Sequence, residues 1–206
     1  MLDAFALFSE PRRPSLDVEA LKTRFLTQSA QVHPDRVHGA GEAEKAEATT
    51  RYAELNAAYQ QLKETKDRLL HLYELEAGGP PRDIQRIPPG TMDLFVEVGE
   101  KCRDCDAYLA GRTATTSPML KLKAFQAGLV WTDALLGLQQ QVNARRDALA
   151  TELTAMNAVW DAAPAVGNPA RREALPLERL EQIYRTLSYV ARWTEQIQER
   201  MVQLAV

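Results

Sequence analysis

The chain has little of what several large classes of protein require. It contains only 2 cysteines and 3 histidines in 206 residues, too few for a disulfide framework or a histidine-rich metal site. No apolar run approaches the roughly 20 residues that a membrane helix needs. The N-terminus lacks the basic start and the small-residue cleavage site of a signal peptide. We therefore expect a cytoplasmic protein that does not engage a membrane.

An excess of positive charge is also missing. The formal net charge is −3, and residues 1–75 contain 10 Lys+Arg against 12 Asp+Glu, while residues 76–206 contain 15 against 16. Because neither half is basic, nucleic acid is disfavoured as a principal partner. The remaining composition, 45% hydrophobic and 26% charged, is that of an ordinary soluble protein with room for one large or two small domains.

The two cysteines form a single Cys-x-x-Cys pair, Cys102 and Cys105. Such a pair can bind zinc or exchange electrons. A zinc site would need a second ligand pair, and a redox site a thioredoxin-like strand and helix, whereas the histidines are His33, His38 and His71. We interpret the cysteines as half-buried residues on one side of a helix and expect no metal and no cofactor. A metal-binding or redox-active helical protein stays open as an alternative.

The most informative stretch is a His-Pro-Asp tripeptide at residues 33–35. Apolar residues recur at helical spacing on both sides of it: Val18, Leu21, Phe25 and Val32 before it, and Ala48, Tyr52, Leu55, Tyr59 and Leu62 after it. Pro34 disfavours the helical conformation at His33 and has no N–H to donate, so the first helix should end there. The sequence predicts two helices folded back on each other, with a short polar turn exposed between them.

Local signals divide the rest of the first 90 residues. Asp17 can cap the helix before the tripeptide, and Leu16 and Leu21 can form a hydrophobic staple across its start. His71 is interpreted as a core or edge histidine. Glycine, proline and the apolar pattern together predict a loop over 37–42, a helix to about Glu64, a helix over 66–77 and a linker over 79–90.

The apolar pattern of the second half of the chain predicts three amphipathic helices, over about 92–110, 118–162 and 177–204. Thr91 can cap the first, Ser117 and Pro118 open the second, and Gly111–Thr116 separates the two. Apolar residues recur along the long helix at Leu122, Phe125, Leu129, Leu136, Val142, Leu149, Leu153, Met156 and Trp160. Three such helices joined by short loops should pack as an antiparallel bundle.

The first part of this arrangement resembles a J-domain, the module by which co-chaperones of the DnaJ class activate a DnaK-type heat-shock ATPase. Residues 55–63 are similar to the family's helix III, Arg68 falls where the family has an arginine opening helix IV, and residues 3–8 look like the short first helix of the HscB-type subfamily (iron–sulfur co-chaperones). The chain also lacks the Gly/Phe-rich segment and zinc-binding repeats of general DnaJ proteins. The resemblance implies an all-α fold: a J-domain over 1–78 (an antiparallel helical hairpin with two short helices), a linker over 79–90 and a three-helix bundle over 91–206.

The resemblance implies a non-enzymatic co-chaperone. His33, Pro34 and Asp35 would dock on a DnaK/HscA-type chaperone and stimulate its ATP hydrolysis, helped by the positive charges of Lys22, Arg24 and Arg36. The segment 28–31 lacks the basic residues that the family has there. We also expect Pro34 to splay His33 and Asp35 apart. That separation, with no serine, cysteine or second carboxylate nearby, argues against a catalytic pair.

The resemblance further implies that the bundle binds an iron–sulfur scaffold protein of the IscU type. The matching residues are Leu94, Phe95, Glu97, Val98 and Tyr189. The family's acidic face is thinned, because Gly99 stands at one acidic position. The competing interpretation is that Leu94, Phe95 and Val98 fill the bundle core. A J-domain co-chaperone with a different client therefore remains an alternative, and the oligomeric state stays open.

Overall fold

The computed structural model describes residues 2–37, 39, 41–81, 87–111 and 117–205 of the chain. All regular structure in these ranges is helical, and they contain no strand. In chain order the elements are α1 (Ala4–Leu7), α2 (Val18–Gln31), a 3₁₀ turn (Pro34–Val37), α3 (Glu42–Lys63), α4 (Thr65–Ala77), α5 (Met92–Ala110), α6 (Pro118–Ala162), α7 (Arg171–Ala174) and α8 (Leu177–Ala205). The predicted all-α class is confirmed.

The chain forms two compact units, and each of the two longest helices contributes to both. The first unit comprises residues 1–83 and 152–184, and the second comprises 84–151 and 185–206. The C-terminal turns of α6, the short helix α7 and the first turns of α8 therefore belong with the N-terminal helices. The division into a J-domain over 1–78, a linker over 79–90 and a bundle over 91–206 stays a prediction.

The α2–α3 hairpin forms as its local signals predict. One carboxylate oxygen of Asp17 accepts hydrogen bonds from the backbone N–H groups of Glu19 and Ala20, both at 3.0 Å, and so caps α2. Leu16 and Leu21 are both buried, as the staple requires. Farther along, the Phe25 ring of α2 stacks on the Tyr59 ring of α3 with centroids 4.3 Å apart. The hairpin is thus fixed at its start and along its length.

Arg68 lies at the start of α4, as expected, but it is 4% exposed. Its guanidinium donates to the carbonyl oxygens of Pro14 at 2.9 Å and Leu62 at 2.7 Å, and to the hydroxyl of Thr65 at 3.2 Å. Burial lowers the pKa of Arg68 to about 10, against the opposing effect of Glu64. Since these three bonds reach the segment before α2, the end of α3 and the first turn of α4, Arg68 ties three parts of the first unit together.

A buried ion pair that the sequence analysis did not predict joins α4 to α7. Two guanidinium nitrogens of Arg171 donate to the two carboxylate oxygens of Glu76 at 2.9 and 2.8 Å, and a third donates to the carbonyl of Pro164 at 2.7 Å. The two side chains are only 9% and 3% exposed. Because both charges are out of water, they compensate each other, and Arg12 adds a second, more distant positive charge 4.0 Å from Glu76.

Within the first unit, the C-terminal end of α6 contacts the segment before α2 through Asn157. The side-chain amide of Asn157 donates to the carbonyl of Ser15 at 2.9 Å, and the backbone N–H of Ser15 donates back to the amide oxygen at 2.9 Å. The hydroxyl of Thr154 donates to that of Ser15 at 3.2 Å. The segment before α2 is therefore held by residues that lie about 140 positions later in the chain.

His71 is a core histidine, in agreement with its interpretation from the sequence. It is fully buried, stacks on Phe5 with ring centroids 5.9 Å apart, and its Nε2 accepts a hydrogen bond from the backbone N–H of Ala4 at 3.1 Å. Burial lowers the pKa of His71, an effect opposed by the nearby carboxylate of Asp3 and reinforced by Arg12. The folded protein therefore prefers the neutral imidazole.

We expect this preference to make stability depend on pH. Since the folded pKa lies below the unfolded value of about 6.5, the unfolded chain takes up the proton first. The contribution is fully present above about pH 6.5 and is lost as the pH falls below it. Urea unfolding between about pH 7.5 and 5 should show this loss in the wild type and a smaller one in His71→Gln. His33→Gln, at a more exposed imidazole, is the control. Equal pH slopes for the wild type and His71→Gln would contradict the assignment.

The second unit is a bundle of α5, of α6 up to Thr151 and of α8 from Arg185 onwards. Its buried core consists of Val98, Cys102, Cys105, Leu135, Leu138, Val142, Val190, Trp193 and Ile197. Several residues predicted on one apolar stripe of α6 lie outside it: Leu122, Phe125, Leu129 and Leu136 are 56%, 64%, 48% and 42% exposed. The neighbouring Leu135 and Leu138 are buried instead. Apolar residues thus lie on two faces of α6, and the apolar spacing in the sequence does not show which of the two faces is buried.

The helices end close to the predicted residues, but not every predicted capping interaction forms. Gly78 ends α4 in the left-handed conformation, with φ of 78°, which suits a residue without a side chain. Thr91 precedes α5, but its hydroxyl donates to the carbonyl of Pro88 and does not cap the helix. Parts of three predicted segments lie outside the described residues: 38 (His38) and 40 in the first loop, 82–86 in the linker, and 112–116 between α5 and α6.

Candidate functional site

The His-Pro-Asp turn lies where α2 ends and the chain turns towards α3. α2 stops at Gln31, and the 3₁₀ turn follows directly from Pro34. The His33 ring and the Tyr52 ring of α3 meet in a T-shaped arrangement, with centroids 5.1 Å apart. The side chain of Asp35 is 91% exposed, against 42% for His33. The turn thus anchors His33 on the hairpin and presents the carboxylate of Asp35 to solvent.

The expectation that Pro34 splays its two neighbours apart is wrong. Nδ1 of His33 lies 3.6 Å from a carboxylate oxygen of Asp35 and accepts a hydrogen bond from the backbone N–H of Asp35 at 3.3 Å. The reason is the 3₁₀ turn, which folds residue 35 back towards residue 33 where an extended chain would separate them. The result is a compact turn whose backbone is held by its own histidine.

The three basic residues predicted to assist docking differ in their surroundings. Lys22 is half exposed and 3.8 Å from Glu19, and Arg36 reaches back to the carbonyl of Ala30 at 3.4 Å. Arg24 is more constrained, because it donates to the carbonyls of residues 8 and 9 and pairs with Glu10 at 3.0 Å. Its charge is partly used to hold the segment after α1. Lys22 and Arg36 are therefore the better placed of the three to attract a partner.

The residues predicted to bind a scaffold protein differ in how far they reach the surface. Val98 is 1% exposed and belongs to the bundle core, with Leu94 packed at the edge of that core. Glu97 accepts a hydrogen bond from the side chain of Gln141 on α6 at 3.1 Å. Only Phe95, which is 39% exposed, and Tyr189 come together on the outside, with their rings edge to face at 5.9 Å. A partner would meet these two aromatic residues.

Phe95 and Tyr189 lie in a groove of about 330 Å³ between α5 and α8. Its walls include Phe95, Gly99 and Arg103 on α5 and Tyr189, Arg192 and Gln196 on α8. The guanidinium carbon of Arg192 lies 5.0 Å from the centre of the Tyr189 ring, within cation–π range. Neither arginine is among the residues predicted from the sequence, although the spacing of four residues from Phe95 to Gly99 to Arg103 marks one helical face.

The cysteines are more deeply buried than expected. Cys102 and Cys105 are 5% and 0% exposed, and both are free thiols in the bundle core. Burial raises the pKa of both thiols, although the charge of Arg200 acts in the opposite direction. A reactive or metal-binding cysteine needs an accessible thiolate, which this environment disfavours. The structure therefore favours the packing interpretation over the redox alternative.

These features define a class: an all-α protein whose N-terminal hairpin presents a His-Pro-Asp turn in the manner of a J-domain, followed by a three-helix bundle. In the described part of the chain, no group of three or more His, Cys, Asp or Glu side chains could hold a metal ion. No helix in the same ranges combines the length and the apolarity needed to cross a membrane.

Comparison with known proteins agrees with this class. No protein-family model matches the chain. Over 71 residues it is 44% identical to a co-chaperone protein HscB homolog of Paraburkholderia phymatum, covering 34% of this chain and 41% of the relative. Over 106 residues it is 37% identical to the HscB homolog of Chromobacterium violaceum, covering 51% and 61%. The chain thus spans about half the length of the curated relatives it matches.

The fold similarity extends further than the sequence similarity. The crystal structure of human co-chaperone protein HscB superposes with a TM-score of 0.61, covering 96% of this chain and 81% of the human chain at 18% identity. At that identity the likeness concerns the fold. In sequence and in fold, the chain resembles the HscB-type co-chaperones.

Proposed function

We propose that this protein is a non-enzymatic co-chaperone that stimulates the ATPase of a DnaK/HscA-type chaperone and delivers an IscU-type iron–sulfur scaffold protein to it. The observation that carries the proposal is the placement of Asp35. Its side chain is 91% exposed at the end of a hairpin that is held together by the α2–α3 contacts. The resemblance to J-domains implies that this carboxylate forms an ion pair with an arginine of the chaperone. ATP hydrolysis itself takes place in the chaperone.

The turn supports this role because it is organised before any partner binds. Proline restricts φ at residue 34, the N–H of Asp35 bonds to His33, and His33 rests on Tyr52. A determinant that is already ordered loses less conformational entropy on binding than a flexible loop. The partner would therefore meet a turn whose backbone is already ordered, with Lys22 and Arg36 on the same hairpin.

We expect ATPase stimulation to decrease as salt concentration rises. Lys22 is exposed and can steer association only through an electrostatic attraction that salt screens, over about 8 Å at 0.15 M ionic strength. The measurement is steady-state ATP hydrolysis by a DnaK-type and an HscA-type chaperone with the full chain at several salt concentrations. Lys22→Gln should show a weaker salt dependence than the wild type. Stimulation that is independent of salt would mean that the contact is mainly apolar.

The client part of the proposal rests on Phe95 and Tyr189. Capture of an IscU-type scaffold by the immobilised full chain should be reduced by Phe95→Ala, whereas Val130→Ala, at another exposed apolar side chain of the second unit, should leave it unchanged. If the wild type retains no scaffold protein, the iron–sulfur client is removed from the proposal. A J-domain co-chaperone with a different client is then the better description.

A further inference from the structure

The groove between α5 and α8 is bordered by arginines, on the side of α5 where the resemblance implies an apolar and acidic face. A Cβ atom added at Gly99 would lie 3.4 Å from a guanidinium nitrogen of Arg103, so that guanidinium rests against the glycine. On the opposite wall, Arg192 covers the Tyr189 ring and donates to the carbonyl of Ser188 at 3.4 Å. Both cations are thus held at the groove by packing on neighbours that carry no charge.

The charges of these two arginines are not neutralised within the described part of the chain. Neither Arg103 nor Arg192 forms an ion pair there, whereas Arg200 in the same unit pairs with Asp106 at 2.6 Å. Glu97, the acidic residue predicted on this face, is hydrogen-bonded to Gln141 on α6. Among the described residues, those that line the groove include these two arginines and no carboxylate, so its lining is positive although the whole chain carries a net charge of −3.

We propose that this groove binds a segment of the client protein in which an apolar side chain is flanked by carboxylates. The inference rests on the proposed function, since it names the chemistry of the client that the bundle receives. The apolar side chain would contact Phe95 and Tyr189 in the groove, and the carboxylates would meet Arg103 and Arg192. Guanidinium groups suit this role because they pair with carboxylates through two parallel hydrogen bonds.

The size and chemistry of the groove agree with a short segment. Its volume of about 330 Å³ lies at the lower end of the range for pockets that hold small organic groups, so it accommodates one or two side chains. The aromatic walls supply apolar contact area, and charges at the rim determine which partner is selected and how fast it associates. A basic segment of the same length would be repelled by both arginines.

The test uses the full chain and two labelled synthetic peptides. One peptide carries a phenylalanine and leucines flanked by glutamates, and the other has lysine at every glutamate position. Fluorescence anisotropy should show the acidic peptide binding at least about tenfold more tightly, with an affinity that falls as salt rises. The double variant Arg103→Glu/Arg192→Glu should reverse this preference, and Arg103→Gln/Arg192→Gln should remove it. Arg146→Glu, at an exposed arginine of α6 outside the groove, is the matched control and should change neither affinity.

Two results would overturn the inference: equal affinity of the wild type for both peptides, or unchanged binding of the acidic peptide by the double glutamine variant. Scaffold capture separates this failure from failure of the proposed function. Equal capture of an IscU-type scaffold by the wild type and the double glutamate variant would keep the proposed client and reject the charged groove. Charge-dependent peptide binding without scaffold capture would support the groove and reject that client.

Discussion

Replacing Asp35 by asparagine is expected to abolish stimulation of the chaperone ATPase without changing the fold. Asparagine keeps the size of the side chain and removes its charge, so a hydrogen-bonded ion pair with the partner is lost. Losses of this kind amount to about 2–5 kcal/mol at protein interfaces, or roughly 30-fold to several thousand-fold in affinity. Because the side chain is 91% exposed, the free energy of unfolding should change by no more than about 0.5 kcal/mol.

The measurement is ATP hydrolysis by a DnaK/HscA-type chaperone over a range of concentrations of the wild type, Asp35→Asn and the control Glu54→Gln. Glu54 is an exposed carboxylate on α3, so the control removes one negative charge from the same hairpin. The control should stimulate like the wild type. Retained stimulation by Asp35→Asn would contradict the assigned role, and loss of helicity in that variant would contradict the claim that Asp35 is outside the folded core.

Replacing Arg171 by methionine is expected to destabilise the protein by about 3–5 kcal/mol. The substitution removes both hydrogen bonds to the carboxylate of Glu76, which is 3% exposed, and leaves only Arg12, at 4.0 Å, as a nearby positive charge. Adding Glu76→Leu should recover much of the loss, since removing both charges also removes the uncompensated one. Urea unfolding of the wild type, the single variant and the double variant measures the effect.

The matched control for this prediction is Arg179→Met. Arg179 also makes a two-bonded pair, with Glu152 at 2.6 and 2.7 Å, but both side chains are more than one-third exposed. Pairs in water contribute about 1 kcal/mol or less. Equal destabilisation by the two single variants would show that burial is not what makes the Arg171 pair important. A double variant as unstable as Arg171→Met would point to lost packing instead of an unpaired charge.

The parts of the fold that were predictable from the sequence are those fixed by neighbours along the chain. Asp17 caps α2 through residues two and three positions ahead, and Pro34 ends that helix through its own geometry. The bounds of α4, α5, α6 and α8 follow from similar local signals, within a residue or two. Such features need no knowledge of the tertiary fold.

Contacts between distant residues could not be predicted in this way. Arg171 meets Glu76 across 95 positions, and nothing near either residue marks the other as a partner. The same limit explains Leu135 and Leu136 on α6, of which only the first is buried. On a helix of 45 residues, apolar spacing shows that buried faces exist, but the neighbouring helices decide which face is used.

The candidate site contains features that could be predicted from the sequence and others that could not, only a few residues apart. The tripeptide and its exposed aspartate followed from sequence, but the 3.6 Å approach of His33 to Asp35 did not, because it depends on the 3₁₀ turn. On α5, Phe95 and Val98 are both apolar, only three positions apart and part of the groove lining, yet Phe95 is 39% exposed whereas Val98, at 1%, belongs to the bundle core. Spacing alone cannot distinguish them, since α8 determines which side is covered.

The central claim is that the turn at residues 33–35 acts on a separate ATPase. Single-turnover hydrolysis tests it most directly, with a DnaK-type or HscA-type chaperone loaded with ATP and mixed with increasing amounts of the full chain. The account predicts that the hydrolysis rate of at least one of these chaperones rises with the concentration of the chain and reaches a plateau. Rates equal to those of the chaperones alone, at every concentration, would contradict it.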